Sequence, residues 1–346
     1  MPKKNVTIED IARTANVSKT TVSRFLNGKF EYMSQETKER IEGIIRTANF
    51  RPNKLASSLK SNRSHQIGVL IADICNPISS ILVRGISDIC AENGYSIIIY
   101  CTDSDLKREQ EDVENLIDQR VDGILVNPAD YDHSYDALMG KNVPVVMLDR
   151  SVSTPVDTVR TDNHEITRET VAHLYEQGFR NLILFTEEPA GISTRHERIE
   201  AFSSFYRERF SSDVVDAIYV IDPQEPEQVE ETILTLFNER ERGTPAIFTV
   251  NGVCLLSVLT AIKHLGLRIP EDIAVCGYDD WPWAELVTPG ITAIAQPSYQ
   301  VGVEAARLLL SKITDGEDSV FSEPVCHVLH ARLHIRGSTR FIPADL

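Results

Sequence analysis

Apolar residues recur along this chain at two different periods. Near the N-terminus the period is helical. Thr7 stands where an N-cap would, with Asp10 three residues on in a box-like arrangement. Ile8, Ile11, Ala12 and Ala15 follow at helical spacing, and Asn16-Val17 makes a break. Ser18 opens a second helix carrying Thr21, Val22, Phe25 and Leu26, which Asn27-Gly28 stops. Ser34 opens a third with an apolar face of Ile41, Ile44, Ile45 and Ala48. Arg51-Pro52 ends it, because the residue before a proline avoids the α region. The next stretch, NKLASSLKSNRS (53–64), is polar and basic, with Leu55, Ala56 and Leu59 as its apolar residues. Isolated helices this short are marginal in water, so it reads as a linker that folds when DNA or a partner chain covers its leucines.

From Gln66 the pattern changes to short β-branched runs separated by amphipathic stretches. The runs are 66–72, 96–100, 123–126 and 144–148, then 181–185, 217–221, 246–250 and 273–277. Helices are expected near 79–93, 106–119 and 135–141, and again near 164–177, 193–210, 226–240 and 252–265. Two rounds of β-α alternation imply an α/β body of two parallel-sheet lobes. The expected domains are a helix-turn-helix head at 1–52, a linker or hinge at 53–64, and a two-lobed sensor and dimerisation domain at 65–346. In open α/β sheets ligands sit beyond the carboxyl ends of the strands. With two lobes, the natural site is the cleft between them.

The net charge of −16 looks wrong for a nucleic-acid binder until it is divided. Residues 1–64 hold 13 Lys and Arg against 6 Asp and Glu, a net of +7, so the remainder carries −23. A basic head on an acidic body fits a small DNA-binding tip joined to a part that DNA repels. No stretch reaches the roughly 18 apolar residues of a membrane span, and the N-terminus turns acidic where a secretory signal has its apolar core. Six cysteines are scattered with no C-x-x-C pair, the pattern of free thiols in a reducing compartment. A cytoplasmic location is the expectation.

The segment TIEDIARTANVSKTTVSRFLNG (7–28) carries the strongest chemical signal. A helix-turn-helix needs two short helices, a tight turn, and polar residues opening the second helix where they can reach base edges. Here the turn is Ala15-Asn16-Val17. Lys19, Thr20 and Arg24 are placed to read bases. Thr7, Ser18, Thr21, Ser23 and Asn27 are placed to position phosphates.

This segment resembles the head of the LacI/GalR family of repressors. Their signature T-x-x-D-[IV]-A-x-x-[AG]-x-V-S-x-x-T-V-S-R-x-[LV]-N is met at every fixed position of 7–27. FRPN (50–53) stands where the family has YxPN. The likeness continues through IGV (67–69), NP (76–77), QRVDGI (119–124), LDR (148–150), Asp162-Asn163, GYDD (277–280) and QP (296–297). The resemblance implies a symmetric homodimer on a near-palindromic DNA operator. It also implies that the linker forms a hinge helix wedging Leu59 into the minor groove, with Ala56 and Asn53 on the same element.

The resemblance further implies a sugar site on loops after the strands. On the first lobe its candidates are Asp73, Asn76, Asn127 and Arg150. On the second they are Arg195, Arg198, Asn251, Asp279 and Gln296. Asp73, Asn76 and Asn127 read equally as turn formers, Asp279 or Asp280 as the cap of a helix opened by Trp281-Pro282, and Arg195 as a surface residue. Trp281 and Trp283 read as sugar-stacking or as buried packing. Several arginines converging in an acidic body point to a carboxylate or phosphate, which guanidinium pairs bidentately. Within the family the chain looks most like regulators of 2-keto-3-deoxygluconate and uronate catabolism, an impression carried by residues 19–34. An anionic sugar effector is therefore expected, with a sugar phosphate or a neutral sugar as the alternative. One departure stands out: the family's N-D after the 246–250 strand is Asn251-Gly252 here.

Two other classes compete. Paired carboxylates, Asp279-Asp280 and Asp103 with Asp105, are the kind acid–base enzymes use, but no G-x-S-x-G, P-loop or G-x-G-x-x-G accompanies them. CHVLHARLH (326–334), read as one strand, puts His330 and His334 on one face, too few for a metal site. A transport-type sugar-binding protein would need an export signal and would not need residues 1–60. A regulator needing no cofactor or metal is the expectation.

Overall fold

The computed structural model describes residues 6–26, 28–48, 50, 63–133, 135, 143–210, 214–239, 243–315 and 323–340. Contacts divide the chain into two units, Met1–Ser64 and His65–Leu346. Asn27, Asn53, Ala56 and Leu59 lie outside the described residues, as does most of the helix expected near 135–141.

In the first unit, helices α1 (Ile8–Thr14), α2 (Lys19–Leu26) and α3 (Gln35–Ala48) enclose a small core of Ile11, Ala12 and Val22, lined by Leu26, Ile44, Ile45 and Phe50. The capping box is formed. Thr7 Oγ1 accepts from the Asp10 amide at 3.3 Å, and Asp10 Oδ2 accepts from the Thr7 amide at 3.0 Å, which satisfies two end donors at once. Asn16 takes the left-handed conformation, φ 53°, that asparagine tolerates best among residues bearing a side chain. That single residue sharpens the turn between α1 and α2.

The second unit holds two six-stranded sheets. Strands β1 (Gln66–Ile71), β2 (Ser96–Cys101), β3 (Gly123–Val126), β4 (Val145–Leu148) and β5 (Thr158–Thr161) belong to the first. Strands β6 (Asn181–Thr186), β7 (Ile218–Val220), β8 (Pro245–Thr249), β9 (Ala274–Tyr278) and β10 (Thr292–Ala295) belong to the second. Both follow the doubly wound order 2-1-3-4-5, so each has a switch point, between β1 and β3 and between β6 and β8. β1, β3 and β4 are buried almost end to end, as parallel strands covered on both faces must be. The helices are α4 (Pro77–Glu92), α5 (Leu106–Asp118), α6 (Asn163–Glu176), α7 (Ser193–Arg209), α8 (Pro226–Asn238), α9 (Gly252–His264), α10 (Trp283–Leu286) and α11 (Ser298–Asp315).

The lobes are not consecutive in sequence. After β10 the chain returns to the first lobe, where α11 packs against α4. β11 (Cys326–Leu329) then adds to β5 in the first sheet, and β12 (Arg332–His334) pairs antiparallel with β10 in the second. The single strand read at 326–334 is thus two strands in two sheets. His330 lies between them and pairs with Asp162 at 2.8 Å, while His334 pairs with Asp280 at 2.5 Å. Residues 337–339 are tied into the second lobe. Ser338 and Thr339 are buried, and Ser338 Oγ donates to the Val275 carbonyl at 2.6 Å.

Two glycines let α11 and α4 approach at backbone distance. A Cβ on Gly302 would collide with the Leu82 carbonyl, and one on Gly85 with that of Tyr299. Overpacking a tight interface costs about 1–3 kcal/mol. Gly302→Val should lower unfolding stability by at least about that much, measured as a fall in the urea midpoint; an unchanged midpoint would show that the helices can separate freely.

Candidate functional site

The carboxyl ends of both sheets face one cleft of about 460 Å³. All nine candidate effector residues line it: Asp73, Asn76, Asn127 and Arg150 from the first lobe, and Arg195, Arg198, Asn251, Asp279 and Gln296 from the second. The turn-forming and capping readings hold for several of these residues. Asp73 Oδ1 accepts from the Cys75 amide at 2.8 Å. Asn76 caps α4 through Ile78 at 3.1 Å, and Asn251 caps α9 through Cys254 at 2.8 Å. Asn127, buried, donates to the Leu148 carbonyl at 3.0 Å, which joins the ends of β3 and β4.

The three arginines differ in their bonding. Arg198 is 4% exposed and fully engaged. It donates twice to Asn163 Oδ1 (3.0 and 2.8 Å), to the Val250 carbonyl (2.6 Å) and to Gln296 (3.3 Å), and its guanidinium lies 3.6 Å over the Tyr278 ring. Arg195 does not point into bulk solvent; it pairs with Glu187 at 2.9 Å and donates to the Glu188 carbonyl at 2.6 Å. The side chain of Arg150, a half-buried residue, makes one hydrogen bond, to the Pro128 carbonyl at 3.0 Å. No carboxylate among the described residues stands within ion-pair distance of it. Burial pulls its pKa down, and the neighbouring Asp149 charge works against that pull.

Asp279 does not cap the helix after Trp281-Pro282. That helix, α10, begins at Trp283 with Pro282 as a cap making no side-chain bond. Asp279 instead accepts from the Gly252 amide at the start of α9 (2.8 Å) and from Gln296 (2.7 Å), in a left-handed conformation with φ 73°. Burial raises its pKa against the pull of Arg198 and Gln296. Asp280 turns away to meet Arg336 at 2.7 Å, so the adjacent carboxylates do not form one acid–base pair. Asp103 pairs with Arg108, while Asp105 caps α5.

The missing carboxylate at 252 has a steric reason. A Cβ there would sit 2.6 Å from the Trp281 ring and 2.8 Å from Asp279 Cβ. Trp281 fills that space, its indole N–H without a partner among the described residues. Neither tryptophan lines the cleft; Trp283 packs on the core of the second lobe.

Several lining groups were not anticipated. Asp149 was already inside the LDR motif, and Glu187 directly follows β6, so a stricter search of strand ends would have found both. Glu109, which stands behind the cleft and does not line it, was not legible in this way. It is 1% exposed on α5, accepts from the Ala129 amide at 2.8 Å, and accepts a hydrogen bond from the Tyr135 hydroxyl. It thereby braces the loop whose Pro128 carbonyl holds Arg150.

On the head, Lys19, Thr20 and Arg24 are exposed on α2. Lys19 pairs with Glu9 at 2.8 Å, an exposed pair of small energetic weight. Arg24 lies 4.9 Å from the ring centre of Tyr32. Thr7 is engaged as a cap, and Ser18 Oγ is bonded to Thr21 Oγ1 at 2.9 Å. Ser23 is half-buried.

Residues 7–53 match the pattern of bacterial regulatory proteins, lacI family, and residues 171–339 match a periplasmic binding protein-like domain. The HTH-type transcriptional regulator KdgR of Bacillus subtilis (strain 168) is 36% identical over 89% of this chain and 91% of its own length. The chain belongs to the lacI family. Its relatives include the HTH-type transcriptional regulator PtxS of Pseudomonas aeruginosa, 33% identical over 96% of both chains. The crystal structure of the lac repressor dimer bound to operator and the anti-inducer ONPF superposes with a TM-score of 0.82 at 25% identity, covering 97% of this chain and 99% of that one. The protein is a helix-turn-helix transcriptional regulator whose second domain has the periplasmic-binding-protein fold. Among the described residues no helix is long and apolar enough to cross a membrane, and no group of three or more His, Cys, Asp or Glu is placed to hold a metal ion.

Two outcomes are expected. Gly252→Asp, which restores the usual family residue, should destabilise the fold by about 1–3 kcal/mol in urea unfolding because Trp281 occupies the space; adding Trp281→Ala should recover part of that loss. Burial raises the pKa of Glu109 above its ordinary 4.5. The folded chain therefore holds this proton more tightly than the unfolded chain. Its contribution favours folding increasingly as pH falls through the raised pKa toward 4.5, and is lost as pH rises. Glu109→Gln removes the dependence, so melting temperatures of variant and native protein should diverge with pH over that window; a constant offset would contradict the assignment.

Proposed function

We propose that this regulator is an operator-binding repressor controlled by an anionic sugar held between the two lobes of its second domain, 2-keto-3-deoxygluconate being the leading effector. The observation that carries this reading is Arg150. A half-buried guanidinium that faces a ligand-sized cleft with one carbonyl for company has no carboxylate within ion-pair distance among the described residues, and a ligand carboxylate supplies one through two parallel hydrogen bonds. Arg198 and Arg195 are already paired within the protein, so they serve hydroxyls and shape. Asp73, Asp149 and Asp279 accept from sugar hydroxyls, with Asn76, Asn127, Asn251 and Gln296 completing the set. Acidic lining groups disfavour a doubly charged phosphate, which would meet like charge at close range.

Residues 1–52 form the DNA-binding head, 53–64 the hinge and 65–346 the sensor and dimerisation domain. As a homodimer the protein meets a near-palindromic operator. Lys19, Thr20 and Arg24 read base edges, while Thr7, Ser18, Thr21, Ser23 and Asn27 set the backbone register. Asn53, Ala56 and Leu59 act from the hinge in the minor groove. Effector binding shifts the lobe arrangement and releases DNA. Near-complete switching needs a differential affinity of about 5 kcal/mol between the two states. The protein works in the cytoplasm, beside its DNA.

Calorimetry with 2-keto-3-deoxygluconate, a sugar phosphate and a neutral hexose tests the effector. The acid should bind best, and Arg150→Ala should weaken it by about tenfold or more, the scale of a charge-assisted pair, while sparing operator binding in gel shifts. Arg24→Ala should do the reverse. Equal or tighter binding of the neutral hexose would remove the anionic reading.

A further inference from the structure

Several hydrogen bonds cross between the lobes beside the cleft. The Tyr131 amide donates to the Gly191 carbonyl at 2.6 Å, and the Ser151 amide donates to Ser193 Oγ at 2.9 Å. Arg160 Nη1 donates to both carboxylate oxygens of Glu197 at 3.0 Å each. Glu197 also accepts from Asn163 Nδ2 at 3.0 Å and from Ser151 Oγ at 3.5 Å. Tyr131, Ser151 and Arg160 belong to the first lobe; Gly191, Ser193 and Glu197 to the second. The lobes meet at backbone distance in the Tyr131–Gly191 bond, and a Cβ on Gly191 would run into the Asp130 carboxylate.

The placement of Glu197 ties these contacts to the cleft. Arg195 and Arg198 are three residues apart on α7 and share a face toward the cleft. Glu197 sits between them in sequence and turns to Arg160 instead. Ser151 directly follows Arg150. Arg160 lies on β5, whose end leads through Asp162 into the second lobe, and Asp162 also binds the Ala331 amide at 2.8 Å where the chain crosses again. The pair is half-buried, with side chains 29% and 25% exposed, so it is screened less than a surface pair.

We propose that Glu197 is a positioning residue: its clamp on Arg160 sets the gap between Arg150 on one lobe and Arg195 and Arg198 on the other, and so holds the cleft at the width the effector needs. The proposal rests on the reading that this cleft takes the effector. A ligand spanning Arg150 and Arg198 stabilises the same closed arrangement that the clamp stabilises in its absence. By linkage, loss of the clamp lowers the population of that arrangement and weakens the ligand by the same factor. None of this requires Glu197 to touch the ligand.

The test uses the full-length protein with Glu197→Gln, Arg160→Gln and the double variant. Without ligand, amide hydrogen exchange at Tyr131 and Ser151 reads the lobe contact directly. In each single variant it should accelerate on the order of tenfold, the effect of losing a partly buried ion pair, while Val69 and Leu125 in the core of the first sheet stay protected. The double variant should match the singles, since the partners act as one unit. Calorimetry with 2-keto-3-deoxygluconate should show a comparable weakening in all three. Unchanged exchange at Tyr131 and Ser151, or equal acceleration in the core strands, overturns the clamp. If the native protein fails to bind the sugar acid, the effector reading falls, and the exchange result still decides the clamp.

Discussion

A buried cation organises the second domain. Arg198 enters the cleft from α7, sits over the ring of Tyr278 at the end of β9, and uses its donors on Asn163, Val250 and Gln296. A charge this deeply withdrawn from water persists only when its hydrogen bonds are satisfied. Satisfying it pins together the start of α6, the end of β8 and the loop after β10. The same loop returns a donor from Gln296 to Asp279, and Asp279 in turn holds the first amide of α9. One network therefore aligns the strand ends of the second lobe before any ligand arrives, which is the pre-organisation a selective site needs.

The first lobe is arranged differently. Its guanidinium, Arg150, is held lightly, and the loop that holds it is braced from below by the buried Glu109 and Tyr135. The arginines of the second lobe are thus bonded within the protein, while the guanidinium of the first faces the cleft with no carboxylate at ion-pair distance among the described residues. Four residues bearing side chains adopt left-handed backbone around this cleft: Asp103, Ser104, Asp149 and Asp279. Such conformations cost energy and collect where the surrounding structure has a use for them. Here each lies just beyond a strand end, where a sharp reversal brings a short polar side chain to the opening.

The helix-turn-helix and the α/β rhythm were readable because both depend on local chemistry. Caps at Thr7 and Ser18, the asparagine turn, and continuous apolar runs for buried parallel strands each follow from a few neighbouring residues. The nine residues that the family resemblance offered all line one cleft, most of them on the loops just beyond strand ends. Their bonding was not readable. Nothing local to Arg195 announces Glu187, and nothing near Gly252 announces the ring of Trp281 from thirty residues on.

By itself, then, the order of amino acids determined a basic three-helix head, a two-lobed α/β body and the loops that face the cleft, since cap chemistry and hydrophobic period act over a handful of positions. Only the tertiary structure decided that 298–315 returns to the first lobe, that 326–334 splits between two sheets, and that the Arg150 guanidinium is held by a single carbonyl while Arg195 and Arg198 are held by several groups. Those outcomes depend on contacts between residues far apart in the chain: glycines that allow α4 and α11 to touch, carboxylates that arrive from another strand, and burial that exists only once both lobes have closed around them.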